Sequence, residues 1–81
     1  MRGDKLLAAM RAHPHDWRIT DVERLCRAYG LTCLPPRHGS HYKVTHSAMQ
    51  AILTIPARRP IKQVYIRDLV HMIDALTREG R

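Results

Sequence analysis

Five prolines, Pro14, Pro35, Pro36, Pro56 and Pro60, constrain this chain more than any other feature. A proline has no N–H to give to a helix interior or a central strand, so each one marks a place where a regular element ends. The elements are therefore short, and 81 residues make one domain with a small core and little spare stability.

Ahead of Pro14, the stretch Lys5 to His13 predicts a short helix with Leu6, Leu7 and Met10 on one side and Asp4 capping its start. The linker from Pro14 to Arg18 holds the lone tryptophan, Trp17, expected to plug a gap between this helix and the body rather than to stack a base. Thr20 and Glu23 have the spacing of a capping box at the start of a second helix. Val22, Leu25, Cys26 and Tyr29 form its apolar stripe, and Gly30 supplies a left-handed stop. Asp21, Glu23, Arg24 and Arg27 read as its solvated face.

Leu31 to Leu34 predicts a strand that Pro35 and Pro36 terminate. After a loop through His38 and Gly39, alternation from His41 to Thr45 predicts a second strand. His41, Lys43 and Thr45 share one face there, and Tyr42 and Val44 the other. Residues 46 to 50 make a turn into a third strand, Ala51 to Ile55, closed by Pro56. The loop Ala57 to Lys62 concentrates Arg58, Arg59 and Lys62 between prolines. Gln63 to Thr77 predicts the last helix, with Tyr65, Ile66, Leu69, Val70, Met72, Ile73 and Leu76 inward, and Gly80 begins a frayed end. The order helix, helix, strand, strand, strand, helix is that of an α+β fold, an antiparallel sheet with helices on one face and the other face left for a partner.

Fourteen Lys and Arg against seven Asp and Glu give a formal charge of +7, which favours a polyanionic partner: nucleic acid, an acidic membrane surface or an acidic protein. No apolar run approaches the roughly 18 residues of a membrane span, and no secretory signal pattern opens the chain, so it reads as cytosolic. Cys26 and Cys33 are then free core thiols. Six histidines and two cysteines invite a zinc reading. The pairs His13 with His15, His38 with His41 and Cys26 with Cys33 match no paired ligand framework, and neither metal nor cofactor is expected.

The stretch Arg37-His38-Gly39-Ser40-His41-Tyr42-Lys43-Val44 carries the candidate chemistry. It sets an imidazole where a Gly-Ser turn becomes a strand, with a fixed cation two residues on. Together with the helix ending at Gly30, the strand end Leu53-Thr54-Ile55-Pro56, the basic loop and Val64-Tyr65-Ile66-Arg67-Asp68-Leu69 opening the last helix, this stretch resembles the HicA family of toxins. The resemblance covers residues 19 to 77 and leaves residues 1 to 18 as a helical addition to the family core. It implies a double-stranded-RNA-binding-domain-like fold, messenger-RNA interferase activity and inhibition by a cognate HicB antitoxin protein. It also implies that His41 is the catalytic histidine and that Gly39 and Ser40 form the turn before it. Where many members carry a second His this chain has Tyr42, and where many carry Lys or Gln before the Gly it has His38.

Metal-free RNA cleavage needs a base for the 2′-hydroxyl proton, a cation beside the phosphorane oxygens and an acid for the departing 5′-oxygen. Imidazole takes or gives a proton near neutral pH. His41 is assigned the first role, Lys43 or Arg37 the second, and His38 is a candidate for the third. Arg37, Gly39, Ser40, Lys43, Arg58, Arg59 and Lys62 are the expected RNA-binding residues. The 58 to 62 cations suit RNA, an acidic antitoxin surface or plain solvation alike. Ser40 as a nucleophile would need a third group behind His41, and no carboxylate is close in sequence. Three functions follow: a ribonuclease toxin acting through His41, a non-catalytic RNA-binding module of the same fold, and a basic adaptor for an acidic protein.

Overall fold

The computed structural model describes residues 3–79; the tail expected from Gly80 lies outside them. The chain runs α1 (Gly3–Ala12), α2 (Ile19–Ala28), β1 (Thr32–Leu34), β2 (His41–Thr45), β3 (Leu53–Pro56) and α3 (Gln63–Glu79). The described residues form an α+β fold of three helices and one antiparallel sheet in the order β1-β2-β3.

One apolar cluster unites the elements. Leu6 and Met10 of α1, Val22 and Leu25 of α2, Val44 of β2, Ile55 of β3 and Ile66, Leu69 and Ile73 of α3 are all buried in it. The α1 helix thus supplies part of the core, and its Arg11 clasps Asp74 of α3 through two hydrogen bonds of 2.7 Å. At its other end α1 approaches α2 so closely that a Cβ added to Gly3 would lie 2.5 Å from that of Ala28.

Several boundaries differ from those the local pattern predicts, because specific hydrogen bonds, one of them tertiary, override it. Helix α1 begins at Gly3, so Asp4 sits inside it and accepts from the Lys5 amide at 2.9 Å. Helix α2 begins at Ile19, and its reciprocal start uses Arg18 and Asp21 rather than Thr20 and Glu23. The Arg18 amide donates to Asp21 Oδ2 at 3.0 Å, and the Arg18 carbonyl receives the Asp21 and Val22 amides. The reason lies upstream: the Ile61 amide donates to the Trp17 carbonyl at 3.0 Å, tethering the chain just before the extended Arg18. Gly30, at φ +72, ends α2 as expected, and the Leu31 amide turns back to the Cys26 carbonyl at 2.9 Å. That bond removes Leu31 from the ladder, so β1 starts at Thr32.

Strand β3 starts at Leu53 instead of Ala51. His46 holds the preceding turn, accepting the Ala48 amide on Nδ1 at 2.9 Å and the Met49 amide on its carbonyl at 3.0 Å. Ala51 and Ile52 are left outside the ladder, and Ile52 is 63% exposed. The third strand includes Pro56, which the sequence pattern would place just beyond its end.

The register sets the two faces of the sheet. Cys33 lies opposite Val44, Val44 opposite Leu53, and Tyr42 opposite Ile55, all on the side that meets the core. Leu34, Lys43 and Thr54 form a row on the other side, as do His41 and Pro56. Leu34, His41, Lys43 and Thr54 are exposed, so the helices leave this face uncovered.

A candidate nucleic-acid cleft

His41 opens β2 and is exposed on the uncovered face, as the alternation predicts. Its position follows from one bond beyond the strand: the Ala57 amide donates to the Ser40 carbonyl at 2.7 Å, continuing the β2–β3 ladder past His41 and Pro56. In an antiparallel pair, bonded and non-bonded residue pairs alternate. With Ser40 and Ala57 bonded, His41 and Pro56 are a non-bonded pair, whose side chains stand close together. The missing N–H of Pro56 then falls on the outer edge of the sheet, where no ladder bond is needed.

The same bond aims the basic loop at the imidazole. Ile55 before the loop and Ile61 within it are both buried, so the intervening cations are forced outward. Ser40, His41, Pro56, Arg58, Arg59, Pro60, Lys62 and Tyr65 line one cleft of about 410 Å³. That volume lies in the range of small-ligand sites, roughly 300–1,000 Å³. Among the described residues, three of the lining side chains are cationic and none is a carboxylate. Neither ion pair formed by the described residues, Arg11 with Asp74 and Arg24 with Asp21, involves them. The result is a concave, positively charged site with one imidazole in its lining, suited to hold a phosphodiester beside a group that can take up or release a proton.

The other expected site residues are placed differently. Lys43 shares the face of His41 but lies about 7 Å along the strand and outside the cleft lining. Arg37, His38 and Gly39 are exposed in the loop before β2, with Gly39 at φ +80, and none of them lines the cleft. The proton donors that do line it, besides the guanidinium groups and the imidazole, are Ser40, Lys62 and Tyr65. Local pattern does not mark Tyr65 as a site residue, because its place in the apolar stripe of α3 makes it look like core, and it does pack partly against the core. The available signal was its distance of three residues from Lys62, less than one helical turn.

Among the described residues, no group of three or more His, Cys, Asp or Glu side chains could hold a metal ion, and no helix is long and apolar enough to cross a membrane. The two thiols are free, Cys26 buried and Cys33 half-buried. A hydrogen bond between them pushes the Cys26 thiol up, with help from burial, and holds the Cys33 thiol below its ordinary value.

Fold and site together define an α+β domain with a cationic, imidazole-bearing cleft. Comparison with known proteins finds no family model, no curated protein and no solved structure that matches this chain.

Proposed function

We propose that this protein is a ribonuclease toxin of the HicA type, with a double-stranded-RNA-binding-domain-like fold, that cuts messenger RNA without a metal and is held inactive by a HicB-like antitoxin protein. The observation that carries the reading is His41, exposed on the helix-free face and bordering a cleft with three cations and no carboxylate. In the proposed reaction His41 takes the proton of a 2′-hydroxyl, and that oxygen attacks the adjacent phosphorus. The bond to the 5′-oxygen breaks, leaving a 2′,3′-cyclic phosphate and a 5′-hydroxyl that gains its proton from a donor in the cleft. Arg58, Arg59 and Lys62 bear the phosphorane charge, where fixed cations act most strongly. His38, in the loop outside the cleft lining, is a weaker choice for the acid than Lys62, whose ammonium group lines it. An acidic antitoxin surface laid over the sheet face would reach both Lys43 and the basic loop.

A non-catalytic RNA-binding module is the second reading, favoured by the single imidazole in the lining. One experiment separates the two. Purified protein is incubated with RNA in chelator beside His41→Ala, and cleavage and affinity are measured together. The nuclease reading expects cleavage by the wild type, a loss of about 10²–10⁴-fold in the variant and nearly unchanged affinity. Binding without cleavage by the wild type would leave the module, and undiminished cleavage by His41→Ala would remove His41 from the chemistry.

A further inference from the structure

The cations and the imidazole of the cleft account for phosphate, which every nucleic acid offers alike. They do not account for Tyr65. This residue stands at the start of α3, its amide bonded to the Lys62 carbonyl at 3.0 Å, and it follows Ile61 and precedes Ile66, both buried. Its backbone is therefore held from both sides, while its side chain packs partly on the core and still lines the cleft beside His41 and the three cations. An aromatic side chain so anchored has little freedom left to lose when a flat partner binds. Aromatic rings beside a cationic track are where unpaired nucleobases stack, since every base has a π-face.

We propose that Tyr65 is a nucleobase platform: it stacks one unpaired base of a single-stranded RNA and so registers the neighbouring phosphate against His41. The proposal rests on the cleft taking RNA, as in the function proposed above, and adds to it the residue that reads the base. The cleft is small enough that the stacked base and the phosphate at His41 belong to the same or the adjacent nucleotide. A base inside a duplex is already covered on both faces and cannot reach such a platform without being flipped out. Tyr65 is thus a positioning residue that makes the site prefer single strands.

The test uses the full chain and a 2′-deoxy single strand of about eight nucleotides, within the span of single-strand sites, which binds but lacks the attacking hydroxyl. Its affinity is compared with that of a strand of equal length and charge whose central positions are abasic, for the wild type, Tyr65→Phe and Tyr65→Leu. Stacking of one base is worth about 1–3 kcal/mol, so the wild type and Tyr65→Phe are expected to favour the base-bearing strand by roughly tenfold or more. Tyr65→Leu, which keeps an apolar side chain against the core, is expected to lose that preference while holding the abasic strand as well as the wild type does. Equal affinity of the wild type for both strands overturns the platform without any variant, and so does a preference retained by Tyr65→Leu. If the wild type binds neither strand, the platform proposal falls, and the cleavage and affinity assay on RNA described above decides the proposed function separately; binding that ignores the bases likewise removes the platform alone.

Discussion

The Ala57 amide and the Ser40 carbonyl, 2.7 Å apart, join the turn before His41 to the start of the basic loop. Without this bond the ladder would stop at Tyr42 and Ile55, and the loop would be fixed only at its far end, where Ile61 is buried and bonded to Trp17. With it, one small cleft collects side chains contributed by residues 40 to 65.

Arg58, Arg59 and Lys62 are exposed and unpaired among the described residues, so their effect is on affinity and not on folding. Changing each to Gln is expected to weaken RNA binding and to flatten the dependence of log K on log salt by about 0.7 for each phosphate of a single strand that is no longer neutralised. Unfolding free energy should move by less than about 0.5 kcal/mol. Arg27→Gln, exposed on α2 and outside the cleft lining, is the control and should leave the slope unchanged. Fluorescence anisotropy across a salt series reads all four.

The Arg11 guanidinium holds the Asp74 carboxyl below its ordinary value of 3.8 by a hydrogen bond and by charge. A depressed carboxylate stabilises the fold fully above its unfolded value and ceases to do so as pH falls through the folded one. Wild type and Asp74→Asn should therefore differ in Tm near neutrality and converge on acidification below 3.8. The pair is open to solvent, so the gap should be small and should shrink with salt. Thermal melts over a pH series measure it, and a gap that widens in acid would contradict the assignment.

Cys33, whose thiolate is favoured by the hydrogen bond from Cys26, should be the thiol that alkylates first in the native protein. Cys26 is buried and its thiol is pushed up, so it should react on unfolding. Removing the donor in Cys26→Ala is expected to slow the labelling of Cys33. Mass spectrometry after timed iodoacetamide treatment distinguishes the two sites.

Met10 of α1 is fully buried in the common core. Met10→Ala is expected to cost about 2–5 kcal/mol, a large share of the roughly 5–15 kcal/mol that holds a domain together. Chemical denaturation reads the loss directly. A cost below about 0.5 kcal/mol, the level of surface changes, would show α1 to be a dispensable appendage.

The elements themselves were readable in the chain. The alternation of His41 to Thr45 marks a strand with these limits, and the apolar positions of α2 and α3 repeat at the helical period because one face of each is buried. The edges were less readable, since they depend on individual hydrogen bonds that residue type and period do not reveal. Trp17 is tethered by the distant Ile61, while Leu31 turns back to Cys26 and His46 holds the turn that delays β3 to Leu53.

Residue type and period alone determine that this chain is basic, that it combines helices with short strands, and that His41 and Lys43 share a face of a strand. Only long-range packing decides that this face is bare, that His41 belongs with Arg58, Arg59, Lys62 and Tyr65, and that Arg37 and His38 stand apart from them. The reason is physical. Side-chain direction within an element follows from local backbone geometry, whereas the company a side chain keeps across elements is set by register and by long-range bonds such as that between Ala57 and Ser40.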